Sequence, residues 1–193
     1  MKNLKCLALS FVVLFSLSYC TSTTKTAEEG DNLHADSPTE AAQDMAEDSA
    51  KTQGDDPKLV YELVESMYAG IAVMKKGEEK AASPAVKALA KKLAAEHTKL
   101  TKELKTLATK KNWTLPAGES ADDKDKREDL AKKTGTDYDK AWLEALADRH
   151  ETNIGKLKDA KPTDPDLKMA GEKGLPKIEE LLADIEAVQK QVK

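Results

Sequence analysis

From residue 55 onward, apolar residues recur at three- and four-residue steps, the period of an amphipathic helix. Val60, Leu63, Val64, Met67, Ile71 and Met74 form the first stripe. It follows Asp56-Pro57, a cap residue with proline in the first turn. Ser83-Pro84 repeats that start signal, and Val86, Ala90, Leu93, His97, Leu100, Leu104 and Leu107 follow in unbroken four-three alternation. Thr136 with Asp139 has capping-box spacing and opens a stripe of Tyr138, Trp142, Leu146, His150, Ile154 and Leu157. Asp164-Pro165 starts a last segment, carrying Ile178, Leu181, Leu182, Ile185, Val188 and Val192. Within it, Gly174-Leu175-Pro176 predicts a break or kink. Four long helices are therefore predicted over roughly 57–81, 84–111, 137–160 and 165–191.

The connection between the second and third of these helices, 112–136, is long, whereas the others are tight. Trp113-Thr114-Leu115-Pro116 reads as a loop with an aromatic plug. The charged stretch from Ser120 to Lys133 reads as a short surface helix, with Asp123 three residues after its cap Ser120. The expected fold class is all-α: a four-helix bundle, ferritin-like, with one long crossover containing a short extra helix.

The pattern before residue 55 is different. Lys2 and Lys5 precede an apolar run from Cys6 to Leu17, which has the layout of an export signal and is too short for a spanning helix of about 20 residues. The run ends at Leu17-Ser18-Tyr19-Cys20, which resembles the lipobox of bacterial lipoproteins, with Tyr19 where that pattern favours Gly, Ala or Ser. The resemblance implies that residues 1–19 are a signal peptide and that Cys20 becomes a lipidated first residue. Residues 21–54 set eight carboxylates against Lys25 and Lys51, with Leu33 and Met45 their only large apolar side chains. Such a segment buries too little to offset its ordering entropy, so 20–54 is expected to be a disordered tether, with His34 in solvent. The folded domain is expected over 55–193.

Composition narrows the function classes. The 193 residues are 34% charged, 39% hydrophobic and only 4% aromatic, so a β-sandwich or a large α/β enzyme is not expected. A formal net charge of −4 leaves no footprint for nucleic acid. Of the two cysteines, Cys6 departs with the signal and Cys20 is acylated, so the mature fold rests on packing without a disulfide. The chain carries no phosphate-cradling glycine loop and no nucleophile elbow.

His97 and His150 hold the remaining chemistry, because each occupies an apolar seam position and should point inward. Di-iron bundles combine glutamates with Glu-x-x-His pairs on inward faces. Here the residues three and four before each histidine are Ala94 and Leu93, and Ala147 and Leu146. Those three and four after are Leu100 and Thr101, and Asn153 and Ile154, so no carboxylate shares either face. Glu65 and Glu78 on the first helix are the remaining candidates to turn inward. Two inward imidazoles near Met67 and Met74 suit copper, or zinc if a water and a carboxylate join; the plain alternative is core histidines bonded to backbone.

Short motifs then carry a more specific resemblance. They are the stretch from Lys80 to Ala90, Glu96-His97-Thr98, Leu115-Pro116, Tyr138-Asp139, His150-Glu151 and Leu175-Pro176. Their order and spacing over about 57–190 resemble the exported, ferritin-like domain-of-unknown-function family 4142. The resemblance implies a helical bundle in the cell envelope and no known reaction. The family carries a glutamate near Gly70 and a histidine near Leu181, and this chain has neither.

The expectation is thus a cell-envelope protein anchored to a membrane by its N-terminal lipid. The membrane is that of a diderm bacterium's outer membrane, and the bundle lies on its periplasmic or surface side. The bundle is expected to be non-catalytic, a binding or structural module without a cofactor. The alternative is a metal-binding or redox protein using His97 and His150.

Overall fold

The computed structural model describes residues 38–192, which form six helices and no strand. These are α1 (Pro38–Gln53), α2 (Asp55–Lys80), α3 (Pro84–Lys111), α4 (Ala121–Lys132), α5 (Gly135–Asp159) and α6 (Pro165–Gln189). The stretch 1–19 expected to be an export signal, Cys20 and His34 lie outside the described residues.

The helices form a bundle. α2 packs on α3 and α5, α6 packs on the same two, α1 lies on α2, and α4 touches α2 and α5. Cross-helix bonds give the directions. Trp142, Arg149 and Lys156 of α5 reach Val73, Ser66 and Glu62 of α2, so these two helices run antiparallel. Lys92 and Lys110 of α3 meet Asp184 and Asp166 of α6, again antiparallel. α3 and α5 therefore point the same way, and the link through α4 must return along the bundle.

α1 places helical structure over Pro38–Gln53, inside the segment 20–54 that was expected to be a disordered tether. The prediction weighed large apolar residues, but this helix packs through alanine: Ala50 is buried against the bundle. Ser49 Oγ meets Thr114 Oγ1 at 3.1 Å, and Gln53 accepts from Thr114 N–H at 2.9 Å, fastening α1 to the loop after α3. Only Gly54, at φ 120°, separates α1 from α2, a backbone state that disfavours any side chain.

The helix starts also differ from expectation. α2 begins at Asp55, so Asp56 does not cap it. Its buried carboxylate instead accepts from Thr163 N–H (3.0 Å), Thr163 Oγ1 (2.8 Å) and Asp164 N–H (2.7 Å), holding the α5–α6 connection. α5 begins at Gly135 with no side-chain cap. Asp139, expected in a capping box, reaches across to accept from Ala82 N–H (2.9 Å) and Ser83 N–H (2.7 Å) where α2 turns into α3. Buried carboxylates need donors, and in both cases the backbone amides of a distant connection supply them in place of the local helix start. Ser120 does accept from Asp123 N–H at 3.2 Å, and Asp164 caps α6 through Asp166 and Leu167, as the spacing predicts. Pro176 sits inside α6 without breaking it.

The core divides in two. The larger cluster joins Met74, Leu93, Trp142, Leu143, Leu146, Leu181 and Ile185 near the α2–α3 turn. The smaller joins Val60, Val64, Ala108 and Leu167, with Trp113 and Leu115 as the plug. Each large side chain so buried contributes about 1.5–3 kcal/mol. Along α3 the buried stripe drifts: Thr101 and Ala108 are buried, while Leu100 and Leu107 stay half-exposed. A four-three count runs ahead of a straight helix's 3.6-residue turn, so the stripe slips by one residue after His97.

Trp142 lies flat on α2, where its indole N–H donates to Val73 O at 2.8 Å. A Cβ at Gly77 would fall 2.4 Å from that ring, whereas one at Gly155 meets nothing within 4 Å. The same substitution should therefore have opposite signs. Urea denaturation is expected to show Gly77→Ala destabilising by about 2 kcal/mol and Gly155→Ala stabilising by up to about 1 kcal/mol. Asp139→Ala, which removes the buried carboxylate that accepts from the Ala82 and Ser83 amides, is expected to cost about 1–3 kcal/mol in the same assay.

Candidate functional site

His97 and His150 meet between the two apolar clusters. α3 contributes Leu93 to the upper cluster and Ala108 to the lower, and His97 falls between them. α5 ends its share of the upper cluster at Ala147, and His150 is the next inward position. The ring centroids are 4.9 Å apart with planes at 70°, an edge-to-face contact. His97 is 6% exposed and His150 1%.

Each ring is tied to its own helix. His97 Nδ1 lies 3.1 Å from Leu93 O, and His150 Nδ1 2.7 Å from Leu146 O. A carbonyl only accepts, so Nδ1 carries the proton in both rings and Nε2 carries a lone pair. His150 Nε2 is buried with no hydrogen-bond partner. Among the described residues none bonds His97 Nε2 either.

The surrounding polar groups are already engaged. Thr101 Oγ1 donates to His97 O at 2.7 Å. Ser66 Oγ accepts from Asn153 Nδ2 at 3.1 Å and from Arg149 at 3.2 Å, and Arg149 continues to Asp123 of α4 at 2.5 Å. Position 70, where the resembling family places a carboxylate, is a glycine here, and the Arg149 stem lies 3.4 Å from where its Cβ would be. Leu181, at the expected second histidine position, is fully buried in the upper apolar cluster. Glu78 is exposed, and Glu65 is half-buried near Glu47 and Asp123, with its carboxyl pushed above the usual range by burial. The layer's donor set therefore does not fit a di-iron centre. Among the described residues no three His, Cys, Asp or Glu side chains converge on a possible metal position.

Thr101 and Asn153 belong to this layer, and their spacing of four and three from the histidines was the available signal. Arg149 and Ser66 carried no such signal, because their meeting depends on how α5 lies on α2.

Below the layer, between α2, α3, the end of α5 and α6, lies an apolar cavity of about 140 Å³. Leu63, Met67, Leu100, Leu104, Leu167 and Ile178 are among its lining, and Glu103 and Lys173 stand among the polar lining residues.

This is an all-helical bundle protein with a buried, carboxylate-free imidazole pair. By a match over residues 40–188, it belongs to the domain-of-unknown-function family DUF4142. No curated protein and no solved structure matches it.

Burial lowers the His97 pKa to about 4, and the neighbouring His150 and Arg149 push the same way, against the Leu93 carbonyl and Glu96. Burial also lowers that of His150, with Arg149 adding to it. The unfolded chain takes up protons near pH 6.5, which the folded His97 refuses until about pH 4. Stability is thus full above about pH 6.5 and falls as pH drops toward 4, by on the order of 3 kcal/mol from His97. His97→Leu removes that titration. Urea melts should show the variant within about 1 kcal/mol of the parent at about pH 7.5, and about 2 kcal/mol more stable at about pH 5. An equal difference at both pH values would contradict a buried neutral His97.

Proposed function

We infer that this is an exported envelope protein, held to a membrane by a lipid on Cys20, whose helices act as a non-catalytic binding or structural module. The observation that carries the reading is the order of segments. A basic start and an apolar run lead to Cys20, while the first described helix starts at Pro38 and the family match at residue 40. The membrane is most simply the outer one of a diderm, since Thr21 offers no acidic retention signal after the cysteine. The arrangement of α2, α3, α5 and α6 supports a ferritin-like four-helix bundle, because neighbours run antiparallel and the long crossover joins two parallel helices. The non-catalytic reading is supported by the way interior polar groups serve structure. The aspartates hold backbone amides, and both histidines hold backbone carbonyls.

Metabolic labelling with a fatty-acid analogue tests the anchor. The protein is expected to be labelled and to partition with membranes, and Cys20→Ser to be unlabelled. An unlabelled parent protein would overturn the anchor.

A second reading, metal binding at His97 and His150, is favoured by one specific observation. His150 Nε2 holds a buried lone pair that no group in the structure satisfies.

A further inference from the structure

The inward stripe of α6 has a gap in it. Its positions run Leu167, Ala170, Gly171, Gly174 and Ile178, and the ends of that run, Leu167 and Ile178, are buried. The three residues between them carry a single methyl group. A helix facing a core places large apolar side chains at such positions. A Cβ at Gly171 or Gly174 would meet nothing within 4 Å, so neither glycine makes room for a neighbouring side chain. Each also weakens the helix relative to alanine. The space beside them is the apolar cavity of about 140 Å³, which all five residues line. Its other walls are aliphatic, with Leu63 and Met67 of α2, Leu100 and Leu104 of α3, and Leu157 near the end of α5. We propose that this cavity binds the end of one unbranched acyl chain, about six carbons deep, in place of the side chains that α6 lacks.

The size sets the depth. A dry aliphatic cavity of about 150 Å³ accepts a six-carbon guest such as benzene, and this one is nearly as large. The opening sets the shape. Leu63 and Met67 are buried, while Leu59, Leu100, Leu104 and Leu157 are half-exposed, so the cavity is partly open and its apolar lining continues to the surface. A chain enters such a site end-on and lays its remainder along the rim. The charged lining residues, Glu103 and Lys173, are exposed and opposite in sign, so the headgroup stays in water and the tail carries recognition. A two-chain lipid would leave its second tail in water, which selects a single-chain amphiphile. The inference goes beyond the anchored-module reading and stands with or without a lipid on Cys20.

Unbranched alkanoates are the probe and the methionine methyl resonances the readout. Met67 lines the cavity, Met74 lies in the upper cluster, and Met45 and Met169 are exposed. The full chain with Cys20→Ser, which removes any attached acyl group, is titrated below the micellar range, with Met67 assigned through Met67→Leu. Decanoate is expected to shift Met67 saturably and to leave Met45, Met74 and Met169 in place. Affinity is expected to rise about fourfold per methylene from butanoate to octanoate, and to flatten beyond. Gly174→Leu, with helix content checked by circular dichroism, fills the gap from within and is expected to lose more than about tenfold in decanoate affinity. Should that variant fail to fold, the Met67 shift and the chain-length profile of the parent decide alone. A folded Gly174→Leu with undiminished affinity would overturn the site, as would shifts confined to Met45 or Met169. Benzene bound at Met67 with no effect of any alkanoate would overturn the acyl-chain class.

Discussion

The bundle depends on buried aspartates that satisfy backbone amides far away in sequence. Asp139, near the start of α5, holds the amides of Ala82 and Ser83, and Asp56, at the start of α2, holds those of Thr163 and Asp164. The two staples sit at opposite ends of α2 and fix the register of α5 along it. The register then places the histidines. His150 lies eleven residues beyond Asp139, about 16 Å down α5, and His97 fourteen beyond Ser83, about 21 Å down α3. The two rings reach nearly the same level of the bundle and touch.

That level is where the apolar interior is interrupted. Above it Trp142 lies on the bare backbone of Gly77, and below it the helices leave a small apolar cavity. Imidazole suits such a boundary only when neutral, and each ring is kept so by burial, with its one donor spent on a carbonyl. Arg149 runs beside the pair from Ser66 to Asp123, so the same residue that ties α4 to the bundle also opposes protonation of both rings. The structural role of the layer and the unpartnered His150 Nε2 follow from one geometry.

Much of this was legible from residue order. Helix periods placed α3 at Pro84 and its end near Asn112, and put His97 and His150 on inward faces. The short helix after Ser120 and the cap at Asp164 followed from local spacing alone. What local spacing misjudged were residues whose partners are distant. Asp56 and Asp139 match capping signals, but a carboxylate does not record in its sequence whether its partner will be the nearest amide or a remote one. α1 was hidden for a related reason: Ala50 contributes little apolar area, and becomes a packing residue only because α2 stands beside it.

Sequence by itself determined the four long helices and their inward faces, and the absence of a carboxylate on the face of either histidine, because these are set within a turn or two of chain. It also carried the basic start and apolar run leading to Cys20, a linear pattern that needs no fold. Only the tertiary structure decided that the two imidazoles touch, that His150 Nε2 is buried without a partner, and that Arg149 occupies the space at Gly70. Those facts depend on register between helices far apart in sequence, and register is fixed by packing and by buried aspartates accepting from backbone amides across the bundle.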